Sequence, residues 1–442
     1  MINRRTFLAG LAAAAADPWQ EAARILQGIR PPVFPERDFE ITRFKPGADA
    51  GGAIRRAIEA CARAGGGRVV VPAGEFVTGP IHLESNVNLH LAEGAVLRFS
   101  QDPQRYLPAV FTRWEGVECM NYSPFIYAFE KENIAVTGSG VLDGQSGREH
   151  WWPWKGRAEF GWKKGQPQQE PARQRLFEMA EKDVPVAQRK FGADAFLRPQ
   201  FVEPYRCRNV LIEGITIRNS PMWEIHPVLC RNVTVRGVTV SSHGPNNDGC
   251  DPESCSGVLI ENCRFDTGDD CIALKSGRNR DGRRLATPIE NVIVRGCQMK
   301  DGHGGVTIGS EISGSARNIF AEDCRMDSPN LDRVLRIKTN SYRGGVIERI
   351  YMRNITVGQV ADAVIHVDFN YEEGAGGPHM PTVRDIDVRG VTCNRSKYAL
   401  ALRGFKESPI RNVRVADCAF RNTARPDIIE NVEGLQLERV TR

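Results

Sequence analysis

One nine-residue phrase recurs nine times between Asn209 and the C-terminus: NVLIEGITI from Asn209, NVTVRGVTV from Asn232, GVLIENCRF from Gly257, NVIVRGCQM from Asn291, NIFAEDCRM from Asn318, RIYMRNITV from Arg349, DIDVRGVTC from Asp385, NVRVADCAF from Asn412 and GLQLERVTR from Gly434. The eight steps between copies run from 22 to 36 residues and average about 28, a solenoid period. Within each copy apolar and polar residues alternate, the chain turns at Gly, Asn or Asp, and the apolar pattern resumes, as in Val292, Val294, Cys297 and Met299. Alternation over segments this short predicts strands. Equivalent strands of successive coils would stack in parallel ~4.8 Å apart and bury one apolar column. The expected fold is therefore all-β: a single-stranded right-handed parallel β-helix of roughly ten coils.

Two upstream stretches, Val87–Leu91 and Ile134–Gly138, fit as earlier coils. Ala53–Ala64 reads differently, because Ile54, Ala57, Ile58 and Cys61 share a helical face and Gly65-Gly66-Gly67 supplies a stop. A solenoid must cover its first open edge, so Ile54–Ala64 is expected to be an N-terminal capping helix. Length alone, 442 residues, would suggest several globular domains, but a solenoid grows coil by coil as one. Residues 17–442 are thus expected to form a single domain. Residues 1–16, MINRRTFLAGLAAAAA, place Arg4 and Arg5 before a short apolar run and read as a twin-arginine-like signal peptide. The protein is then expected to be exported, periplasmic or extracellular, with no membrane span.

Twelve cysteines in an exported chain would ordinarily mean disulfides. Here Cys263, Cys297, Cys324 and Cys418 fill the phrase slot that Ile215, Val238, Ile355 and Val391 fill elsewhere, which predicts stacked free thiols in an apolar core. Bridges among Cys250, Cys255 and Cys271 are the alternative. Residues 145–200 break the repeat. They hold Trp151, Trp152, Trp154 and Trp162 of the seven tryptophans, and eleven Lys or Arg against seven Asp or Glu. Aromatic rings beside cations suit stacking on an acidic sugar, and an insertion this long could wall off one side of a groove. An enzyme attacking from a chain end is expected from it.

Counted along their coils, Asp248, Asp269, Asp270, His303, Arg336 and Lys338 fall in neighbouring rungs on one face. Glycosidic cleavage needs one carboxylic acid to protonate the leaving oxygen and one carboxylate acting from the other side of the ring. Crowded carboxylates raise one another's pKa and keep a proton available. Cations beside them complement a charged sugar. Asp269 and Asp270 are adjacent, and strict strand alternation would separate them, so the chain is expected to bend at Gly268.

Pro245-Asn246-Asn247-Asp248-Gly249, Gly268-Asp269-Asp270, Gly302-His303-Gly304 and Arg336-Ile337-Lys338 resemble, in order and spacing, the four signature motifs of glycoside hydrolase family 28, the polygalacturonases. The likeness runs from about Phe39 to Tyr371 and includes Gly65–Gly74 and Asn219–Trp223, with Asn247 standing where the family usually has Thr. What the resemblance implies is hydrolysis of galacturonate-containing pectic polysaccharide with inversion. Asp269 would be the general acid, Asp248 and Asp270 would hold and activate water, and His303 would sit beside the acid. Asn246, Arg336, Lys338 and Tyr371 would contact substrate. An inverting pair is expected to stand ~6.5–9.5 Å apart. No metal or organic cofactor is expected, nor nucleic acid or membrane as partner, and the enzyme is expected to be a monomer. The rivals are a pectate-lyase-like β-eliminase on the same scaffold and a noncatalytic carbohydrate-binding β-helix.

Overall fold

The computed structural model describes residues 17–442, so the expected signal peptide lies outside the described residues. Thirteen parallel strands, from Asp38–Glu40 to Val432–Glu438, form the longest sheet of a right-handed parallel β-helix. Nine consecutive strands of that sheet carry the nine phrases. Their register is the one the sequence alignment implies, with Val210, Val233, Val258, Val292, Ile319, Ile350, Ile386, Val413 and Leu435 stacked in one ladder. The two anticipated upstream coils are present, and Gly67–Val71 and Asp38–Glu40 precede them. The estimate of ten coils was short because those first two rungs lack the phrase.

Why the phrase begins and turns as it does is visible in the backbone. Its first residue has φ between 54° and 71° in every copy, and its sixth has φ between 50° and 77°. Asn, Asp and Gly tolerate this left-handed region best, and they fill all but two of these eighteen corners, Arg349 and Arg439 being the exceptions. Corner asparagines also bond along the stack: Asn133 Nδ2 to Asn86 Oδ1 at 2.9 Å, Asn209 to Asn133 at 2.8 Å and Asn232 to Asn209 at 2.7 Å.

A second sheet of eleven strands follows the phrases, and a third side comprises a three-stranded and a six-stranded sheet. Single bridges through Ile225 and Cys250 join those two, linking Val202 to Ile272. The phrase slot occupied by Cys, Ile or Val is buried in one core running the length of the coil. All twelve cysteines are buried free thiols, and Cys250, Cys255 and Cys271 are unbridged. At each such position the coil gains the burial of a small apolar group, about 1 kcal/mol or more.

The cap is a helix over Gly51–Arg63 whose Ala53, Ile54, Ala57, Ile58 and Cys61 are buried. A second helix, Pro18–Gly28, was not anticipated. Asp17 caps it by accepting from Trp19 N at 3.1 Å, an Asp-Pro start that the sequence displayed. Its Trp19 packs edge-on against Phe320 at 5.5 Å under the Arg353 guanidinium. Among the described residues no helix is long and apolar enough to cross a membrane.

The insertion docks on the coil through Trp151, Trp152 and Trp154, whereas Trp162 bonds within the insertion itself. Trp151 is buried among Tyr106, Tyr122, Phe125 and Trp154. Trp152 Nε1 donates to Ser220 O at 2.8 Å, and Trp162 Nε1 to Gln166 O at 3.0 Å. The expected sugar-stacking platform of tryptophans is therefore corrected: large rings gained more by burial against the core.

Candidate active site

Asp248, Asp269 and Asp270 converge, each offering an oxygen within 4.8 Å of the others. The parallel stack explains the convergence, since the loops after successive rungs stand a strand spacing apart. Gly268 and Asp269 form the bend between Arg264–Thr267 and Ile272–Leu274, so alternation does not apply to the Asp pair. Gly268 is required there by close approach, because a Cβ would lie 2.5 Å from Gly244 O. Asn247, the departure from the family pattern, is buried and fully used. Its Oδ1 accepts from Ser242 Oγ and Gly244 N, both at 2.7 Å, and its Nδ2 donates to Ser220 O and Met222 O, both at 3.1 Å. It pins the loop that carries Asp248.

The carboxylates differ in environment. Asp270 has no exposed side-chain surface and is caged: Oδ1 accepts from Arg336 Nη1 at 3.0 Å and Thr307 Oγ1 at 2.9 Å, and Oδ2 from Lys338 Nζ at 2.7 Å. Burial opposes its charge, but the Lys338 and Arg336 cations outweigh burial and hold it far below the ordinary carboxylate range. Asp248, 3% exposed, has an unpartnered Oδ1, and its Oδ2 lies 3.6 Å from Lys275 Nζ. Burial, reinforced by the neighbouring Asp269, pushes its carboxyl up to about 7. Asp269 is the most open of the three at 18%. Burial works to raise it, yet the His303 bond (Nδ1 to Oδ1, 2.9 Å) and charge leave it lowered. The same bond lifts the half-exposed His303 to about 9.

The expected wide gap between acid and base is not what the coil builds, since a single rung separates the loops that carry them. Nor are Arg336 and Lys338 free cations: both are bound first to Asp270. Tyr371 lies beside them, with Lys338 Nζ 5.2 Å from its ring centre. Its backbone is fixed by Asn340 Nδ2 to Tyr371 O at 2.9 Å.

Asn246, Asp248, Asp269, His303, Lys338 and Tyr371 line a cleft of about 600 Å³. One wall comes from the insertion, which contributes Lys155, Arg157, Glu159, Phe160 and Arg173. The floor contains a buried ion cluster that sequence reasoning missed. Lys275 Nζ lies 3.2 Å from Glu311 Oε2 and 3.5 Å from Asp251 Oδ2, and 4.2 Å above the Trp223 ring. Its only sequence signal is a charge ending the apolar run Cys271–Leu274.

The family model for glycosyl hydrolases family 28 matches residues 188–439. A hyperthermoactive exopolygalacturonase from Thermotoga maritima has a crystal structure that superposes with a TM-score of 0.93, at 45% identity over 96% of each chain. The chain belongs to glycoside hydrolase family 28. It is thus a glycoside hydrolase. A probable polygalacturonase from Vitis vinifera is 28% identical over 84% of this chain and 71% of its own. An exo-poly-alpha-D-galacturonosidase from Dickeya chrysanthemi is 26% identical over 73% of this chain and 55% of its own. Membership covers the part of the chain in which all four motifs and their carboxylates lie.

Proposed function

We propose that this hydrolase cleaves galacturonate-containing pectic polysaccharide by removing sugar from a chain end, with Asp248 and Asp269 as the reacting carboxylates and Asp270 as the fixed anion beside them. The observation carrying the proposal is the graded triad set beneath a cation-lined cleft with the insertion as one wall. An endo-acting enzyme needs a groove open at both ends. The names borne by the Thermotoga and Dickeya relatives support the same mode. The arginine-led leader supports export.

Asp269 is the carboxyl most open to the cleft and is read as the general acid. In the free enzyme the triad keeps its proton on Asp248. Substrate dries the cleft, which penalises the exposed charge on Asp269, and the proton passes to it across the short gap. Asp269 then protonates the leaving oxygen as the glycosidic bond breaks. Water attacks the anomeric carbon and gives its proton to Asp248, so the sum is one water added across the bond. The His303 cation stabilises the carboxylate that Asp269 becomes, and Asp270 remains an anion throughout. Asn246 and Tyr371 line the cleft as substrate contacts, and Arg336 and Lys338 act through Asp270.

Inversion is supported by the motif set, whereas the close spacing of the carboxylates favours retention, in which Asp248 would attack carbon directly. Proton NMR of the first-formed sugar decides between them. Asp269→Asn should lose nearly all turnover on polygalacturonate yet regain part of it on an aryl galacturonide whose leaving group needs no proton. Rescue of Asp248→Asn instead would exchange the two roles. Early release of mono- or disaccharide with slow loss of viscosity tests the chain-end mode, and a fast viscosity drop with mixed oligomers would refute it.

A further inference from the structure

Arg198 and Lys155, both from the insertion, converge on a single neutral oxygen. Asn246 Oδ1 accepts from Lys155 Nζ at 2.8 Å and from Arg198 Nη2 at 2.8 Å. Arg198 is fully buried, and its other bonds go to Gln169 Oε1, Pro221 O and Pro245 O. Among the described residues neither cation has a carboxylate within ion-pair distance, and Glu115, the cleft-wall acid whose charge most favours both, is taken by Arg173 at 2.7 Å. Two positive charges in a partly dried wall with only neutral acceptors are costly. An anion arriving from the cleft would relieve that cost.

The same bonds orient the amide. With both cations on Oδ1, the Asn246 Nδ2 group must point the other way, and it makes no hydrogen bond within the described residues. Asn246 and Lys155 both line the cleft, close to Asp248 and Asp269. By contrast Lys338 and Arg336 are already bound to Asp270. We infer that Lys155 Nζ and Asn246 Nδ2 form a carboxylate subsite, oriented from behind by Arg198, that holds the uronate group of the terminal sugar. This deepens the chain-end, galacturonate-directed reading above and rests on it. Burial lowers the pKa of Lys155 in the free protein, and a bound carboxylate would oppose that shift.

Two variants test it on trigalacturonate. Lys155→Met removes a charge-assisted bond and should raise KM on the order of tenfold, flatten the rise of KM with salt, and be partly rescued by Lys155→Arg. Asn246→Asp gives both cations an internal carboxylate in place of the ligand. It should melt at a higher temperature than wild type while its KM rises, a combination that loss of packing does not produce. Unchanged KM and salt slope in Lys155→Met, or an Asn246→Asp protein that melts lower, would overturn the subsite. Wild type that releases mixed long oligomers from polygalacturonate, with the Lys155 effect on trigalacturonate intact, would instead overturn the chain-end reading alone. Wild type inactive on trigalacturonate would overturn both.

Discussion

Replacing Asp248 by Asn should make the protein more stable, and increasingly so as pH rises. The Asp248 carboxyl stands at about 7 against an ordinary 3.8 because its charge is buried beside Asp269. A raised carboxyl destabilises the fold progressively from the unfolded value up to the folded one, and the full cost is present above pH 7. Three units at 1.36 kcal/mol each give about 4 kcal/mol as an upper bound, reduced because Lys275 loses one of its partners in the variant. Asn is isosteric and carries no charge, so it escapes the cost. A long coil does not unfold as one two-state unit, so the readout is the melting-temperature difference between variant and wild type, measured from pH 4 to pH 9 in one buffer series. The difference should be near zero at pH 4, climb between pH 5 and 7, and level off above. A difference independent of pH, or an Asn variant that melts lower at pH 8, would falsify the claim that the triad stores an uncompensated charge there.

His303→Ala should remove the cation beside Asp269. The pair stabilises the fold fully below pH 6.5 and loses its effect as pH rises through about 9, so the wild-type advantage in melting temperature should vanish by pH 10. Because His303 is half exposed, that advantage should stay below about 1 kcal/mol. Lys338→Met breaks one arm of the buried Asp270 cage and should cost about 3 kcal/mol together with most activity, seen in melting and in kcat. A variant of full stability with raised KM would instead assign Lys338 to the substrate.

The stack was legible because each rung repeats its own constraints. Asn209, Asn232 and Gly257 reveal the corner by residue type, and Val210, Val233 and Val258 reveal the register by alternation. Motif loops placed at fixed offsets from those corners could therefore be added rung by rung, which is how Asp248, Asp269, Asp270 and His303 came to one face. What the pattern did not carry were contacts made across the stack by single side chains. Lys275, Asp251 and Glu311 meet under the cleft from three successive rungs, at positions that no motif marks. Arg198 reaches Asn246 from an insertion without repeats. Arg336 and Lys338 are expected at the sugar from their charge and their motif, whereas burial makes each cation first satisfy the nearest buried anion, Asp270. The tryptophans of the insertion misled for a related reason: ring area is worth more against the core than in a wet cleft.

The cage around Asp270 explains how three carboxylates so close together can coexist in a stable coil. Left to themselves they would share protons and lose any fixed division of labour. Lys338 and Arg336, both on the rung after that of His303 and Thr307, hold Asp270 ionised. Its fixed charge then helps to push a proton onto its neighbours, and burial directs that proton to Asp248 rather than to Asp269, whose His303 partner stands at the open side. The division arises from depth in the coil: the deepest acid is caged, the middle one holds the proton, and the outermost faces the cleft. A parallel β-helix supplies that gradient without strain, because each rung adds one loop at a fixed spacing and the side chains behind it are already buried.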